Sequence, residues 1–361
     1  MIELLGTAHP IIQAPMAGIS TPALAAAVSN AGALGSLGIG ASSVAQARST
    51  ILQTQSLTDK PFNVNVFCNA PPRRDRNIEA AWISHFSALF EKFGAKAPES
   101  LNEIYQTFVV NDEAFQMLLE VRPAFVSFHF GIPEVEKIAA FREAGIKTLA
   151  TATKLQEART IEAAGIEGII AQGIEAGGHR GVFDTRAEDD QLATLPLVRL
   201  LVRNSRLPVV AAGGIMDGHG TKAALDQGAV AAQLGTAFIL CPESAADVGY
   251  RANLKSCRSG FTRLTSVVSG RPARGIVNQL IEHGEAGTGL SPADYPIAYD
   301  LAKQLHAAAT RGGNNEFAAH WAGQGARLAR ELPAAQLVKI LVEEFTETSA
   351  QASLSNHGRS V

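Results

Sequence analysis

The chain has 361 residues, of which 46% are hydrophobic and 18% charged, and its formal net charge is −3. That length buries a large core, either as one big domain or as a barrel with an appendage. The charge balance excludes a basic footprint for nucleic acid, and no apolar run is long enough to span a bilayer.

Three unpaired cysteines argue against a disulfide or zinc site and for a reducing compartment. The N-terminus has no basic segment followed by an apolar one, as a signal peptide would have. We therefore expect a cytoplasmic protein without membrane or nucleic-acid partners and without a metal site.

Apolar strands alternate with helical segments along most of the chain. Strands are predicted at 10–18, 33–38, 61–67, 124–130, 147–151, 168–172, 208–215 and 231–237, and the helices between them at 22–30, 43–57, 133–144, 154–164, 195–204 and 220–227. Eight evenly spaced strands with short connections predict an α/β fold, a closed parallel (β/α)8 TIM barrel. An open doubly wound sheet is the alternative.

Two regions break this rhythm. Residues 70–120 are too long for one crossover and show helical periodicity at 78–93 and 101–119. After residue 241 the strands stop, and helices are predicted at 298–310, 315–321 and 334–348. We expect the barrel to comprise 1–69 and 121–241, a small helical domain over its mouth to comprise 70–120 and 242–348, and 349–361 to be a frayed tail.

A glycine-rich segment, GIEAGGHRG at 173–181, follows the apolar strand 168–172. Its glycines permit positive φ and close approach of a ligand. One titratable group, His179, lies at the tip of this predicted loop. An exposed histidine on a flexible loop favours a functional role over a structural one.

Two further glycine turns follow the last two predicted strands. One holds Gly213 and Gly214, and the other holds Gly235 and Thr236. The corresponding loops of such barrels often bind phosphate, because backbone N–H groups freed by glycine donate to it. Each turn alone could be merely structural, but together they favour a phosphorylated cofactor.

Amide side chains occur at the ends of strands that are otherwise apolar. Asn65, Gln172 and Gln233 could bind a flat polar heterocycle or a polyol chain, or could satisfy one another in the barrel core. Asn63 and Asn65 share a face of their strand that should point into the barrel, while the valines face the outer helices. His129 lies among phenylalanines and is either a core histidine or a functional one.

These motifs together resemble the nitronate monooxygenases, formerly called 2-nitropropane dioxygenases, which are FMN-dependent barrels. The resemblance rests on QAPMAG at 13–18, NVN at 63–65, EAGGH at 175–179, AGGI at 212–215 and QLGT at 233–236. It covers nearly the whole chain. Several motifs also occur in flavin-dependent enoyl-acyl-carrier-protein reductases and NADH:quinone reductases, so they specify the fold and FMN more strongly than the reaction.

Other residues resemble the class I nitronate monooxygenases, among them FHFG at 128–131 and WAGQ at 321–324. The resemblance implies catalytic roles for His179 and His129 and substrate binding by Tyr105, Tyr250, Tyr295, Tyr299 and Lys303. It implies cofactor binding by Pro15, Met16, Asn65, Gln172, Gly177, Gly178, Gly213, Gly214, Gln233, Leu234, Gly235, Thr236 and Trp321. The spacing of Tyr295, Tyr299 and Lys303 gives one helical face, if the segment is helical, that suits an anion.

The implied function is FMN-dependent oxidation of alkyl nitronates, including propionate 3-nitronate, by O2 to a carbonyl compound and nitrite, without NAD(P)H. His179 would act as a base on a neutral nitroalkane or as an electrostatic group. The implied assembly is a monomer or homodimer. Two alternatives stay open: an NAD(P)H-dependent flavin reductase of a quinone or enoyl thioester, and a flavin-binding protein without turnover.

Overall fold

The strands in the computed structural model, which describes residues 4–287 and 289–357, form a barrel and a smaller sheet. They are β1 (Ile11–Gln13), β2 (Gly35–Gly38), β3 (Phe62–Phe67), β4 (Phe125–His129), β5 (Lys147–Ala152), β6 (Gly168–Gln172), β7 (Gly178–His179), β8 (Val209–Ala212), β9 (Ala231–Leu234), β10 (Thr262–Thr265) and β11 (Ala273–Ile276). The barrel strands are parallel and follow the order β1-β9-β8-β6-β5-β4-β3-β2. A parallel bridge between Ile12 and Leu34 joins the two ends of the sheet. The predicted eight-stranded barrel is confirmed.

The six helices predicted between barrel strands begin within two residues of their predicted starts. They are α1 (Pro22–Asn30), α2 (Val44–Leu57), α3 (Arg76–Lys92), α4 (Asp112–Val121), α5 (Val135–Glu143), α6 (Leu155–Ala163), α7 (Thr194–Asn204), α8 (Gly218–Asp226), α9 (Val248–Lys255), α10 (Gln279–Glu285), α11 (Ile297–Arg311) and α12 (Ala334–His357). The Thr21 hydroxyl caps α1, and Ser43 forms a capping box with Gln46 on α2. None of the helices within the described ranges has the length and apolarity needed to cross a bilayer.

Strand β3 shows how the barrel sorts its side chains. Val64 and Val66 are buried in the core that the strands share with the outer helices. Asn63 and Asn65 point inward, where each amide donates to the Ser127 hydroxyl at 2.9 Å. The alternation expected for this strand is therefore present, and its polar face leads to the barrel mouth.

The insertion after β3 is shorter than predicted. Met117 and Leu118 of α4 are buried in the barrel core, so α4 is the crossover helix between β3 and β4. The helix predicted at 101–119 is wrong over its first half. The Asn102 backbone N–H and side-chain amide both bind Asp300, and the Asn111 side chain caps α4, so the helix starts only at residue 112.

The C-terminal part also departs from the predicted boundaries. Helix α12 continues to His357 and buries Leu337, Val338 and Leu341 in the barrel core, so it belongs to the barrel and not to the helical domain. Residues 349–357, expected to fray, are helical, and 358–361 lie outside the described residues. The helix predicted at 315–321 is absent, because the segment runs along β11 and Trp321 forms a bridge with Gly275.

The remaining elements form a cap, which we define as residues 71–107 and 242–333. Its core joins α3, α10 and α11 through large apolar side chains that include Trp82, Phe86 and Leu301. A three-stranded antiparallel sheet, β10-β11-β7, ties the cap to the loop after β6. The cap therefore sits over the carboxyl ends of the barrel strands, where TIM-barrel active sites lie.

Candidate active site

A cavity of about 430 Å³ lies between the barrel mouth and the cap. That volume is in the range of small-molecule sites. Of the residues predicted for the site, all except Leu234 line it: Pro15, Met16, Asn65, Tyr105, His129, Gln172, Gly177, Gly178, His179, Gly213, Gly214, Gln233, Gly235, Thr236, Tyr250, Tyr295, Tyr299, Lys303 and Trp321. The Leu234 side chain packs instead in the barrel core, because neighbouring strand residues point to opposite faces.

The barrel side of the cavity is made largely of backbone. Gly213, Gly214, Gly235 and Thr236 line it after β8 and β9. Across the described ranges, their N–H groups have no acceptor in the protein. N–H groups left without a protein partner beside a cavity are suited to an anion such as phosphate. We call the backbone of Gly213, Gly214, Gly235 and Thr236 the phosphate cradle. The Thr236 hydroxyl accepts the Gly323 N–H at 3.0 Å, which joins this cradle to the cap.

Two glycines have different reasons to lack a side chain. A Cβ at Gly177 would lie 2.5 Å from the Gly323 nitrogen, so this glycine permits the cap segment to approach. At Gly235 φ is −104°, and a Cβ would lie 3.4 Å from Ala14 Cβ and 3.9 Å from Met16 Sδ. A Cβ at Gly235 would therefore make only ordinary contacts with the protein, and this residue lines the cavity.

The three amides predicted to bind a ligand do not bind one another. Gln172 donates to the His179 carbonyl at 3.0 Å and accepts the Gly181 N–H at 2.7 Å, so it shapes the loop after β6. Asn65 donates to the Ser127 carbonyl and hydroxyl. Gln233 lines the cavity with a buried Oε1 that has no partner among the described residues, and it is the amide left to bind a ligand.

His179 is half-buried, so the expected exposure on a flexible loop is wrong. It lies in β7, where it pairs with Ala273 of β11. Its ring packs against Tyr295 and Trp321, with centroids 5.4 and 5.1 Å away. Burial, together with the charges of His129 and Arg271, lowers the pKa of His179 to about 3, so its imidazole is neutral at neutral pH.

His129 is both a cavity residue and a satisfied core residue. Its Nδ1 is 3.0 Å from the Thr151 hydroxyl, and its Nε2 is 3.2 Å from the His179 carbonyl. Because a carbonyl only accepts, Nε2 carries the proton and Nδ1 accepts from Thr151. Burial lowers the pKa of His129 to about 4. Both ring nitrogens are thus occupied, and His129 holds the backbone at His179.

The cap side of the cavity consists of phenols and one ammonium. The Lys303 Nζ lies 5.0 Å from the ring centroid of Tyr105 and 5.3 Å from that of Tyr299. Tyr299 and Lys303 lie on α11, as their spacing predicted, and Tyr295 precedes the helix. Burial raises the pKa of Tyr105 and of Tyr299 to about 12, so both phenols stay protonated donors.

The lining of this cavity, among the described residues, carries positive charge and no negative charge. Lys303 is the only lining residue, among those that the structure describes, with a full charge at neutral pH, because both histidines are neutral. No carboxylate within the described ranges lines the cavity or pairs with Lys303. A cavity with one unpaired cation, several hydroxyl donors and no carboxylate is suited to an anionic ligand.

Sequence reasoning missed three residues that surround the histidines. Thr151 binds His129, the Ser269 hydroxyl lies 2.8 Å from His179 Nε2, and the Arg271 guanidinium stacks on Phe130 at 4.3 Å. Thr151 carried the same signal as Asn65, a polar side chain at the end of a buried strand. Ser269 and Arg271 carried none, because only the pairing of β11 with β7 brings their loop to His179.

Comparison with known proteins shows the family to which the chain belongs. The family model described as "Nitronate monooxygenase" matches residues 1–344. The chain belongs to the nitronate monooxygenase family. It is 54% identical to a nitronate monooxygenase of Paraburkholderia phytofirmans, with 97% of this chain and 96% of that protein covered. It is also 54% identical to one of Pseudomonas aeruginosa, with 95% and 98% covered.

Solved structures agree with this membership. A nitroalkane oxidase from Streptomyces ansochromogenes is 39% identical with a TM-score of 0.90, covering 98% of this chain and all of the other. FabK from Thermotoga maritima is 29% identical with a TM-score of 0.74, and 97% of each chain is covered. This nitronate monooxygenase family member is thus an oxidoreductase acting on a small molecule, and its family points to nitronate oxidation with a flavin.

Proposed function

We propose that this protein oxidises alkyl nitronates, including propionate 3-nitronate, with FMN and O2 to a carbonyl compound and nitrite, and without NAD(P)H. The observation that carries the proposal is the charge balance of the cavity, which among the described residues has one unpaired ammonium and no carboxylate. A nitronate is an anion, and propionate 3-nitronate carries a second negative charge on its carboxylate. Family membership supplies the reaction class.

The residues present fit FMN. The N–H groups after β8 and β9 suit one phosphate, and the unpartnered Gln233 Oε1 suits an N–H of a polar heterocycle. Bound there, FMN would supply the one-electron and O2 chemistry of the reaction. Chromatography of the chromophore released by heat tests this choice. FMN is expected, and FAD or the absence of any flavin would contradict it.

The protein's own residues bind and orient the substrate. Lys303, flanked by Tyr105 and Tyr299, would bind the remote carboxylate, and the phenols would donate to anionic oxygens. The neutral His179 lies at the junction of barrel and cap, where it would hold the nitronate or accept the α-proton of a neutral nitroalkane. The cap covers this side of the cavity, and exclusion of water by a bound ligand would strengthen each of these interactions.

An aerobic assay of the purified yellow protein tests the reaction. Nitrite release and O2 uptake are measured with propionate 3-nitronate as substrate, and in parallel O2 uptake is measured with NADH. Nitrite release without any nicotinamide is expected. Rapid turnover with NADH and no nitrite from nitronates would instead support the flavin reductase, and no turnover with any of them would support a binding protein. The cytoplasmic location and the monomeric or dimeric state stay predictions.

A further inference from the structure

The loop between β10 and β11 contacts the ring of His179, the candidate catalytic histidine, at Nε2. Ser269 in this loop is fully buried, and its Oγ lies 2.8 Å from His179 Nε2. The same oxygen lies 3.3 Å from the Arg271 carbonyl and 3.4 Å from the Arg271 nitrogen. His179 Nδ1 has no partner within the described part of the chain, and the ring lines the cavity. The two nitrogens of this ring therefore face different surroundings.

The contacts of Ser269 decide which nitrogen carries the proton. The Arg271 N–H can only donate, so it takes one lone pair of the hydroxyl oxygen. The Arg271 carbonyl can only accept, and no other donor reaches it from the described residues. Donation by the Ser269 hydroxyl to that carbonyl satisfies a group that would otherwise be buried without a partner. The Ser269 oxygen then accepts a hydrogen bond from His179 Nε2–H.

We propose that Ser269 is a positioning residue that fixes His179 in the Nε2–H tautomer, leaving the Nδ1 lone pair directed to the substrate cavity. The inference rests on the proposed function for its catalytic meaning, because a base needs its lone pair on the side of the substrate. In the other tautomer Nδ1 would carry a proton and could not accept one. The hydrogen bond made by one ring nitrogen thus sets the chemistry of the other.

The charges around His179 favour the neutral imidazole over the imidazolium, so that Nδ1 is unprotonated before substrate binds. Arg271 is buried, its guanidinium donates to the Val182 carbonyl, and its Nε has no partner in the described chain. It lies on the same loop as Ser269, while His129 of β4 contacts the His179 carbonyl, and Tyr295, just before α11, and Tyr299, on α11, face the ring. A buried cation close to the imidazole disfavours a second proton on it. The loop between β10 and β11 therefore acts on His179 through a hydrogen bond and through charge.

Histidine-selective ¹⁵N NMR of the cofactor-bound enzyme tests the assignment directly. The protonated and bare ring nitrogens have distinct shifts, and the His179→Asn variant identifies the His179 signals. The parent should show His179 with the proton on Nε2, and Ser269→Ala should show a mixture of tautomers. Ser266→Ala, the same change in the same loop at a side chain with no hydrogen bond in the described residues, should leave the parent pattern.

Kinetics provide the second readout. Ser269→Ala should lower kcat/KM for nitroethane about tenfold, the effect of one hydrogen bond, and lower that for ethyl nitronate less than threefold. An Nδ1–H tautomer in the parent would overturn the inference, as would a tautomer that Ser269→Ala leaves unchanged. If the enzyme released no nitrite from any substrate, the proposed function would fail, while the NMR result would still decide the role of Ser269.

Discussion

The two walls of the cavity are built from different materials. The barrel wall presents backbone N–H groups of Gly213, Gly214 and Gly235, which are fixed by the strands that precede them. The cap wall presents long side chains of α11 and of the segment before it, among them Tyr299 and Lys303. We infer that backbone N–H groups, which no substitution removes except proline, suit a ligand that stays the same, such as a cofactor. Side chains, which substitutions do change, suit selection among substrates.

This difference separates the expected effects of substitutions. A change in the barrel wall should alter cofactor occupancy and leave the substrate preference of the occupied enzyme unchanged. A change in the cap wall should alter the preference among substrates and leave occupancy unchanged. His179 lies where the two walls meet, at the pairing of β7 with β11, so changes there should affect chemistry and not occupancy.

The largest effect is expected for Gly235→Val in the barrel wall. Gly235 has an ordinary φ of −104° and room for a Cβ, so the protein should fold, while the added methyl groups should occupy the phosphate cradle. Losing two or so charge-assisted hydrogen bonds should weaken FMN binding at least about a hundredfold. Absorbance of bound flavin and the thermal unfolding midpoint provide the measurement, with Gly235→Ala as the milder variant. Full occupancy in Gly235→Val would place the phosphate elsewhere.

The next largest effect is expected for His179→Asn at the junction. Asparagine keeps a hydrogen-bond donor but cannot act as a base, so turnover of nitroethane should fall roughly a hundredfold or more. Turnover of ethyl nitronate, which needs no proton abstraction, should fall less than about tenfold. His219→Asn on the exposed face of α8 is the matched control. Nitroethane activity that survives in His179→Asn, or that the parent lacks, would rule out the base.

Lys303→Met tests the cap wall. Without the ammonium, the Michaelis constant for propionate 3-nitronate should rise about tenfold to a hundredfold, the effect of a charge-assisted hydrogen bond. The Michaelis constant for ethyl nitronate, which has no carboxylate, should stay within about twofold of the parent value. Arg311→Met, at the end of the same helix and outside the cavity, should change neither constant. Equal losses on both nitronates would show that Lys303 does not bind the carboxylate.

The last expected effect is on stability and not on binding or turnover, and it comes from His129 and His179 at the cavity and from His320, buried in the cap. Burial lowers the pKa of His129 and His320 to about 4 and that of His179 to about 3. Since the unfolded chain binds protons near pH 6.5 and the folded one does not, stability falls as the pH drops from about 6.5 to 4. At pH 5 each histidine should cost about 2 kcal/mol relative to pH 7. Denaturant unfolding at both pH values measures this, and equal stabilities would contradict it.

The sequence predicts the barrel and most of the cavity, because strand alternation and glycine turns are local signals. Asn63 and Asn65 point inward as their period requires, and Thr21 and Ser43 begin their helices. The helix boundaries near residues 101–111 were mispredicted because Asn102 is held by Asp300, a residue distant in sequence. Helical periodicity alone cannot detect such a contact.

Long-range pairing also hid the surroundings of His179. A histidine between glycines predicts an exposed loop, but β11 pairs with β7 and buries it. The same pairing brings Ser269 to Nε2, although no motif marks that serine. Likewise, α12 was assigned to the cap because it follows the cap in sequence, whereas its apolar face fills the remaining gap around the barrel. Local motifs therefore predicted which residues form the site better than they predicted which residues contact them in the fold.

The most direct test of nitronate oxidation is anaerobic mixing of the yellow protein with propionate 3-nitronate and, separately, with NADH. We expect flavin absorbance to change rapidly with the nitronate and to recover when O2 is admitted, with release of nitrite. With NADH, no comparable change should occur on the same time scale. Rapid bleaching by NADH, with no response to the nitronate, would contradict the proposed function and support a flavin reductase on the same fold.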